Sequence, residues 1–207
     1  MDTLRITVVS IIVLFTTSIS LDAQNEKRLQ EAFTSSYRYE TDGDYTKAAD
    51  ALRKEYDERS YEINLRLGWI TYLNGAFTES SAYYNKAIQL MPLSIEARLG
   101  FVLPASAMGN WEHVIAKYKE ILKIDPNHYL TNYRMGLIFY YREDYQTAFK
   151  YLERIANMYP FDYDAVHMFA WVHLRLGNKK EAKTLFNKVL LIRPDDSSSI
   201  EGLKLSN

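Results

Sequence analysis

Small and bulky side chains recur along the chain in a fixed order, with short polar turns between the segments that carry them. In most segments a small residue is followed four positions later by a bulky one, which places both on the same face of a helix. The small residues are Ala48, Ser80, Ala148 and Ala182, and the bulky ones are Leu52, Tyr84, Tyr118, Leu152 and Phe186. The pattern predicts antiparallel helices that approach closely at the small residues and pack through the bulky ones.

Prolines divide these segments into equal units. Pro92, Pro126, Pro160 and Pro194 stand 34 residues apart, and they are four of the five prolines in the chain. Because proline cannot continue a helix, each one marks the same helix end in successive copies of one unit. The phase defines units 61–94, 95–128, 129–162 and 163–196, and the turn at Gly43-Asp44-Tyr45 adds a shorter first unit, 29–60. A period of this length predicts a helical solenoid.

The units resemble the tetratricopeptide repeat family over residues 29–196. Leu67-Gly68 and Met135-Gly136 match the Leu-Gly pair of its signature. The family's first tryptophan is absent, and its place is taken by Ala32, Asn64, Arg98, Asn132 and Val166. The resemblance implies an all-α, right-handed superhelical solenoid of about five helix hairpins. A short capping helix over residues 197–207 is predicted to begin at a capping box formed by Ser198 and Glu201.

The first 23 residues differ from the rest of the chain. Arg5 precedes an apolar stretch from Ile6 to Ile19, and Ala23 supplies a small residue at a cleavage position. This order is typical of a secretory signal peptide, so we expect an exported, periplasmic or envelope-associated protein whose repeat domain occupies residues 24–207. The alternative is an uncleaved segment that anchors the protein in the inner membrane, which would be its only membrane contact.

Composition narrows the classes of function. Apolar residues make up 47% of the chain, charged residues 25%, and the net charge is −1, which does not favour nucleic acid as a partner. There is no cysteine, and the four histidines lack metal-ligand spacing. Neither a glycine-rich phosphate loop nor a nucleophile elbow occurs. We therefore predict a non-enzymatic protein without a cofactor or a metal.

The resemblance also implies where a partner would bind, because the first helix of each hairpin lines the concave side in this family. The implied groove residues are Phe33, Tyr37, Leu65, Trp69, Tyr72, Leu99, Leu103, Tyr133, Leu137, Tyr140, His167 and Trp171. Glu40, Ser106 and Leu174 occupy further inward positions. Most of these side chains are aromatic or aliphatic, as is typical of binding hot spots.

The aromatic and aliphatic character of the implied groove predicts that the protein is an adaptor or scaffold for protein interactions. Its expected partner is a peptide or amphipathic helix of another envelope protein. The family's clamp for a C-terminal carboxylate is not expected, since Leu65, Trp69, Tyr133 and Leu137 stand at its positions. Two alternatives remain open: a glycan or cell-wall binding module, and a structural subunit that forms homo-oligomers.

Overall fold

A computed structural model describes residues 24–207, and within this range the chain forms helices and no strands. The all-α prediction is therefore confirmed for the described residues, whereas the predicted signal segment, residues 1–23, lies outside them. Residues 24–41 form α1. The following helices are α2 Tyr45–Arg53, α3 Tyr61–Leu73, α4 Phe77–Leu90, α5 Ile95–Ala107, α6 Trp111–Ile124, α7 Tyr129–Tyr141, α8 Tyr145–Met158, α9 Tyr163–Arg175, α10 Lys179–Ile192 and α11 Ser197–Leu205.

Helix ends follow the sequence signals. Each of the four phased prolines stands two residues beyond the last residue of α4, α6, α8 or α10, as expected for a residue without a backbone N–H. The turns inside the hairpins place one residue at positive φ. Glycine fills this position in four turns of the described chain, and Glu143, with φ of 61°, fills it in the turn between α7 and α8.

The helices divide into two compact units, which meet in the sequence at Val114 and Ile115. In the first unit, one core cluster joins α2 and α3 through Ala48, Ala49, Leu52, Ile63, Leu67 and Ile70. The ring of Tyr84 on α4 lies against Gly68 and Gly100, where an added Cβ would come within 2.9 Å and 2.1 Å of ring atoms. Glycine at both positions thus allows the neighbouring helices to approach the tyrosine.

In the second unit, one core cluster joins α8 and α9 through residues such as Leu152, Ile155 and Phe169, and another surrounds Phe186 of α10. Helix α11 packs on α9 and α10, and Gly202 lies so close to Phe186 that an added Cβ would come within 2.3 Å of the ring. The short helix therefore covers Phe186.

The capping box predicted for Ser198 and Glu201 is wrong. Asp196 is the N-cap of α11, and its carboxylate accepts a hydrogen bond of 2.7 Å from the backbone N–H of Ser199. The helix begins one residue before Ser198, so the Ser198 hydroxyl lies inside the first turn and is available for contacts with α9.

Buried asparagines stand at two of the positions where the family's first tryptophan is missing. Asn64 donates from Nδ2 to the carbonyl oxygens of Glu58 and Ser60, at 3.2 and 2.7 Å. Asn132 donates in the same way to Pro126 and His128, both at 3.0 Å. Each amide thus ties the preceding loop to the first turn of its helix through two backbone carbonyl groups.

Candidate functional site

In the first unit, four side chains from α1 and α3 form a connected group, which we call the Glu40 cluster: Tyr37, Glu40, Arg66 and Trp69. Glu40 accepts one hydrogen bond from Trp69 Nε1 at 2.6 Å and one from Arg66 Nη2 at 2.5 Å. The Arg66 guanidinium carbon lies 3.8 Å from the centre of the Tyr37 ring. Arg66 is 9% exposed, so its charge is held between a carboxylate and an aromatic face.

Further predicted groove residues of the first unit extend this cluster. The rings of Phe33 and Tyr37 lie 6.5 Å apart, and those of Trp69 and Tyr72 lie 5.8 Å apart. Leu65, Leu99 and Leu103 are half-buried. Tyr37 is the most accessible of the set, with 55% of its surface exposed. Aromatic and aliphatic side chains therefore surround one internally neutralised ion pair.

In the second unit, Tyr133, Leu137 and Tyr140 are partly buried against the core formed by α8 and α9. The Tyr133 ring stacks on Tyr129 at a centroid distance of 6.3 Å, and burial raises the pKa of Tyr133. The Tyr140 hydroxyl accepts a hydrogen bond of 3.4 Å from Arg175 Nε. These side chains thus serve partly as packing between hairpins.

His167 and Trp171 contact the start of the last helix, in a group that we call the His167 cluster: Tyr163, His167, Trp171, Asp196 and Ser198. Trp171 Nε1 lies 3.1 Å from His167 Nε2 and 3.0 Å from Ser198 Oγ. His167 Nε2 also lies 2.9 Å from Ser198 Oγ. Burial is the main cause that lowers the pKa of His167, although the nearby Asp196 carboxylate opposes it. Trp171 Nε1 and His167 Nε2 are therefore already paired within the chain.

The two units thus use their predicted groove residues differently. Phe33, Tyr37, Trp69 and Tyr72 come together around the Glu40 cluster, whereas His167 and Trp171 are joined to α11. Sequence reasoning did not select Arg66 or Ser198 as site residues. The separation of 26 residues between Glu40 and Arg66 carries no local signal, and Ser198 was assigned to a cap that the helix does not use.

Two further properties bear on the kind of site. No group of three or more His, Asp or Glu side chains among residues 24–207 is arranged to hold a metal ion. Over the same residues, no helix combines the length and the apolar character needed to cross a membrane.

Comparison with protein families identifies the class of protein. Two models described as tetratricopeptide repeat match residues 27–94 and 139–205, which together make up more than half of the chain. The chain therefore belongs to the tetratricopeptide repeat family, as the sequence signature predicts. A comparison with curated proteins finds no match.

Solved structures share the fold. A tetratricopeptide repeat protein from Parabacteroides merdae is 22% identical, with a TM-score of 0.73, and the match covers 86% of this chain and 72% of that one. A structure of MamA is 18% identical, with a TM-score of 0.69 and coverage of 83% and 95%. MamA from Desulfovibrio magneticus is 16% identical, with a TM-score of 0.67 and coverage of 82% and 98%. The helical repeat fold of this family is typically a non-catalytic scaffold for protein interactions.

Proposed function

We propose that this protein is a non-enzymatic adaptor that binds a peptide or an amphipathic helix of a partner protein on the inner aromatic residues of its first unit. The observation that carries the proposal is the Glu40 cluster with its neighbours Phe33 and Tyr72. Large, stiff aromatic side chains dominate binding hot spots, and Tyr37 presents more than half of its surface to solvent.

The electrostatics of the cluster favour an apolar partner over an acidic one. Arg66 pairs with Glu40, and Glu40 also accepts the indole N–H of Trp69. Arg66 Nε has no hydrogen-bond partner but is buried, and the charge of Arg66 is compensated by Glu40, so the cluster carries no uncompensated positive charge that would attract a carboxylate to a bidentate arginine. An amphipathic helix could bury its apolar face on the rings of Tyr37 and Tyr72 without desolvating an unpaired charge.

The proposed place of action is the cell envelope. Support comes from the sequence of residues 1–23, in which a cation, an apolar stretch and a small residue follow in the order of a signal peptide. Mass spectrometry of the N-terminus of the protein isolated from cells is expected to begin at Gln24. An N-terminus at Met1 would favour the anchored form instead.

Site-specific photo-crosslinking in cells tests the binding surface. A photoreactive phenylalanine analogue replaces Tyr37 in one variant and Tyr141 in the control, because Tyr141 is 76% exposed and lies outside the predicted groove. We expect a discrete protein adduct from position 37 that is absent from position 141. Equal adducts from both positions, or none from position 37, would contradict the proposal, and an adduct of two copies of this chain would favour the homo-oligomer.

A further inference from the structure

The start of α11 is attached to α9 by hydrogen bonds that depend on the protonation state of one histidine. The indole N–H of Trp171 can only donate, and its acceptors are His167 Nε2 and Ser198 Oγ, at 3.1 and 3.0 Å. Nε2 can accept only when the imidazole is neutral and carries its proton on Nδ1. The Ser198 hydroxyl, 2.9 Å from Nε2, can then donate to the same nitrogen.

The apolar contacts of α11 depend on the same close approach. Phe186 lies directly against Gly202 of α11, and Leu203 packs beside it. The Trp171 ring meets the Phe186 ring edge-on, with the centroids 5.2 Å apart. A shift of α11 away from α9 and α10 would therefore expose Phe186 and Trp171 together.

Charged groups around His167 come from several elements. Asp164 lies on α9 itself, Asp196 Oδ2 lies 3.7 Å from His167 Nε2, and Arg193 follows α10. The Arg193 guanidinium stacks on Tyr163, whose ring is parallel to the imidazole at 5.3 Å. On α7, Tyr133 lies within electrostatic range of the same Asp164. The two carboxylates favour the imidazolium, whereas Arg193 and burial oppose it.

We propose that the His167 cluster is a proton-sensitive latch, in which neutral His167 holds α11 against the last hairpin and a proton taken up from water at Nε2 releases it. An imidazolium has no lone pair for the Trp171 N–H or for the Ser198 hydroxyl proton, so the hydroxyl loses the acceptor that neutral His167 offers and both N–H groups are left facing the Ser198 oxygen. Asp196 could approach the imidazolium only by weakening its bonds to Ser199 N–H and to the Tyr163 hydroxyl, both 2.7 Å. Protonation therefore disturbs the hydrogen bonds that join His167 and Trp171 of α9 to Ser198 of α11.

Whether stability rises or falls with pH follows from the direction of the pKa shift of His167. Because the pKa of His167 is lowered by folding, the contribution of neutral His167 to stability is complete above the unfolded pKa of about 6.5. It is lost as the pH falls from there through the lower folded pKa. The proposal does not depend on partner binding, and its test needs no partner.

Nuclear magnetic resonance on the unmodified chain tests the latch. The ring protons of His167 and the hydrogen exchange of the α11 amides are followed from about pH 8 to about pH 5. After correction for the intrinsic pH dependence of exchange, we expect the protection of residues 197–205 to fall at least tenfold with the same midpoint as the His167 titration. Unchanged protection while His167 titrates, or a loss of protection at another midpoint, would overturn the proposal.

A matched pair of variants separates His167 from general acid effects. His167→Gln removes the titrating group, whereas His173→Gln removes another buried histidine, which packs on Phe149 and Phe169 rather than on α11. We expect the pH-dependent loss of α11 protection to vanish in His167→Gln and to persist in His173→Gln. A transition that survives in His167→Gln would refute the latch.

Discussion

The Glu40 cluster of the first unit and the His167 cluster of the second each contain a tryptophan on the first helix of a hairpin. The two tryptophan N–H groups differ in whether their hydrogen-bond partners are charged or neutral. In the first, a tryptophan N–H and an arginine converge on a carboxylate, at 2.6 and 2.5 Å. In the second, a tryptophan N–H is shared by a neutral imidazole and a hydroxyl. Charge is thus compensated inside the first cluster, whereas Trp171 in the second is paired with two neutral groups, of which the imidazole can change protonation.

The difference shows that an aromatic residue at an inward position does not by itself define a binding surface. Trp69 and Trp171 occupy equivalent positions three repeats apart, and both indole nitrogens are satisfied within the chain. What differs is the partner: Trp69 bonds to Glu40 on α1, while Trp171 bonds to Ser198 on α11. The exposed aromatic surface beside the cluster, above all Tyr37, makes the first unit the better candidate for binding.

Removing the carboxylate of the first cluster is expected to have the largest effect. Glu40→Ala leaves Arg66 buried without its counter-ion and Trp69 without an acceptor, so we expect a loss of about 3 kcal/mol in the free energy of unfolding. In the second cluster, Ser198→Ala removes a neutral acceptor and is expected to cost about 1 kcal/mol. Urea denaturation of both variants measures the difference.

A control for Glu40→Ala exists at the same sequence separation. Glu79 pairs with Arg53 at 2.7 Å, also 26 residues away, but both side chains are well exposed. Glu79→Ala is therefore expected to cost at most about 1 kcal/mol. If Glu40→Ala were as mild as Glu79→Ala, the ion pair of the first cluster would not be a structural element of that unit.

A smaller effect is expected from substituting the glycines at which two helices of the same unit approach closely. An added Cβ at Gly136 would lie 2.5 Å from Leu152 Cγ, whereas one at the equivalent Gly68 would lie 2.9 Å from the Tyr84 ring. We expect Gly136→Ala to cost about 2 kcal/mol and Gly68→Ala about 1 kcal/mol, because overpacking increases with the overlap. Thermal melts of the two variants compare them, and a larger loss at Gly68 would contradict the reasoning.

The smallest effect is expected at the turns. Each hairpin turn of the first unit has glycine at positive φ, whereas the second unit has Glu143 at φ 61° in one of its turns. Glu143→Gly relieves the left-handed strain but adds backbone entropy to the unfolded chain, so we expect a net gain of about 0.5 kcal/mol. Gly177→Ala is the reverse control, because it introduces a side chain at a residue with φ of 81°. It is expected to lower the stability of the protein in the same melting experiment.

Much of the architecture could be read from the sequence because its signals are local and repeated. The prolines beyond α4, α6, α8 and α10 and the small residues at Ala48 and Ala148 act through backbone geometry and steric size, which are properties of the residue itself. Capping was less predictable. Asp196 and Ser198 both have capping side chains, and the structure shows that Asp196 is the N-cap.

The candidate site shows where sequence reasoning ends. The resemblance to the tetratricopeptide repeat family implies the inward positions, so Phe33, Tyr37, Trp69 and Tyr72 could be named in advance. The pairing of Arg66 with Glu40 and the bond between Trp171 and Ser198 could not be predicted. Side chains 26 or 27 residues apart meet only after the hairpins have stacked. The sequence by itself determined the helical repeat and its period. The tertiary structure alone decided which inner side chains satisfy one another and which remain accessible, since burial and hydrogen bonding depend on neighbours brought together by folding.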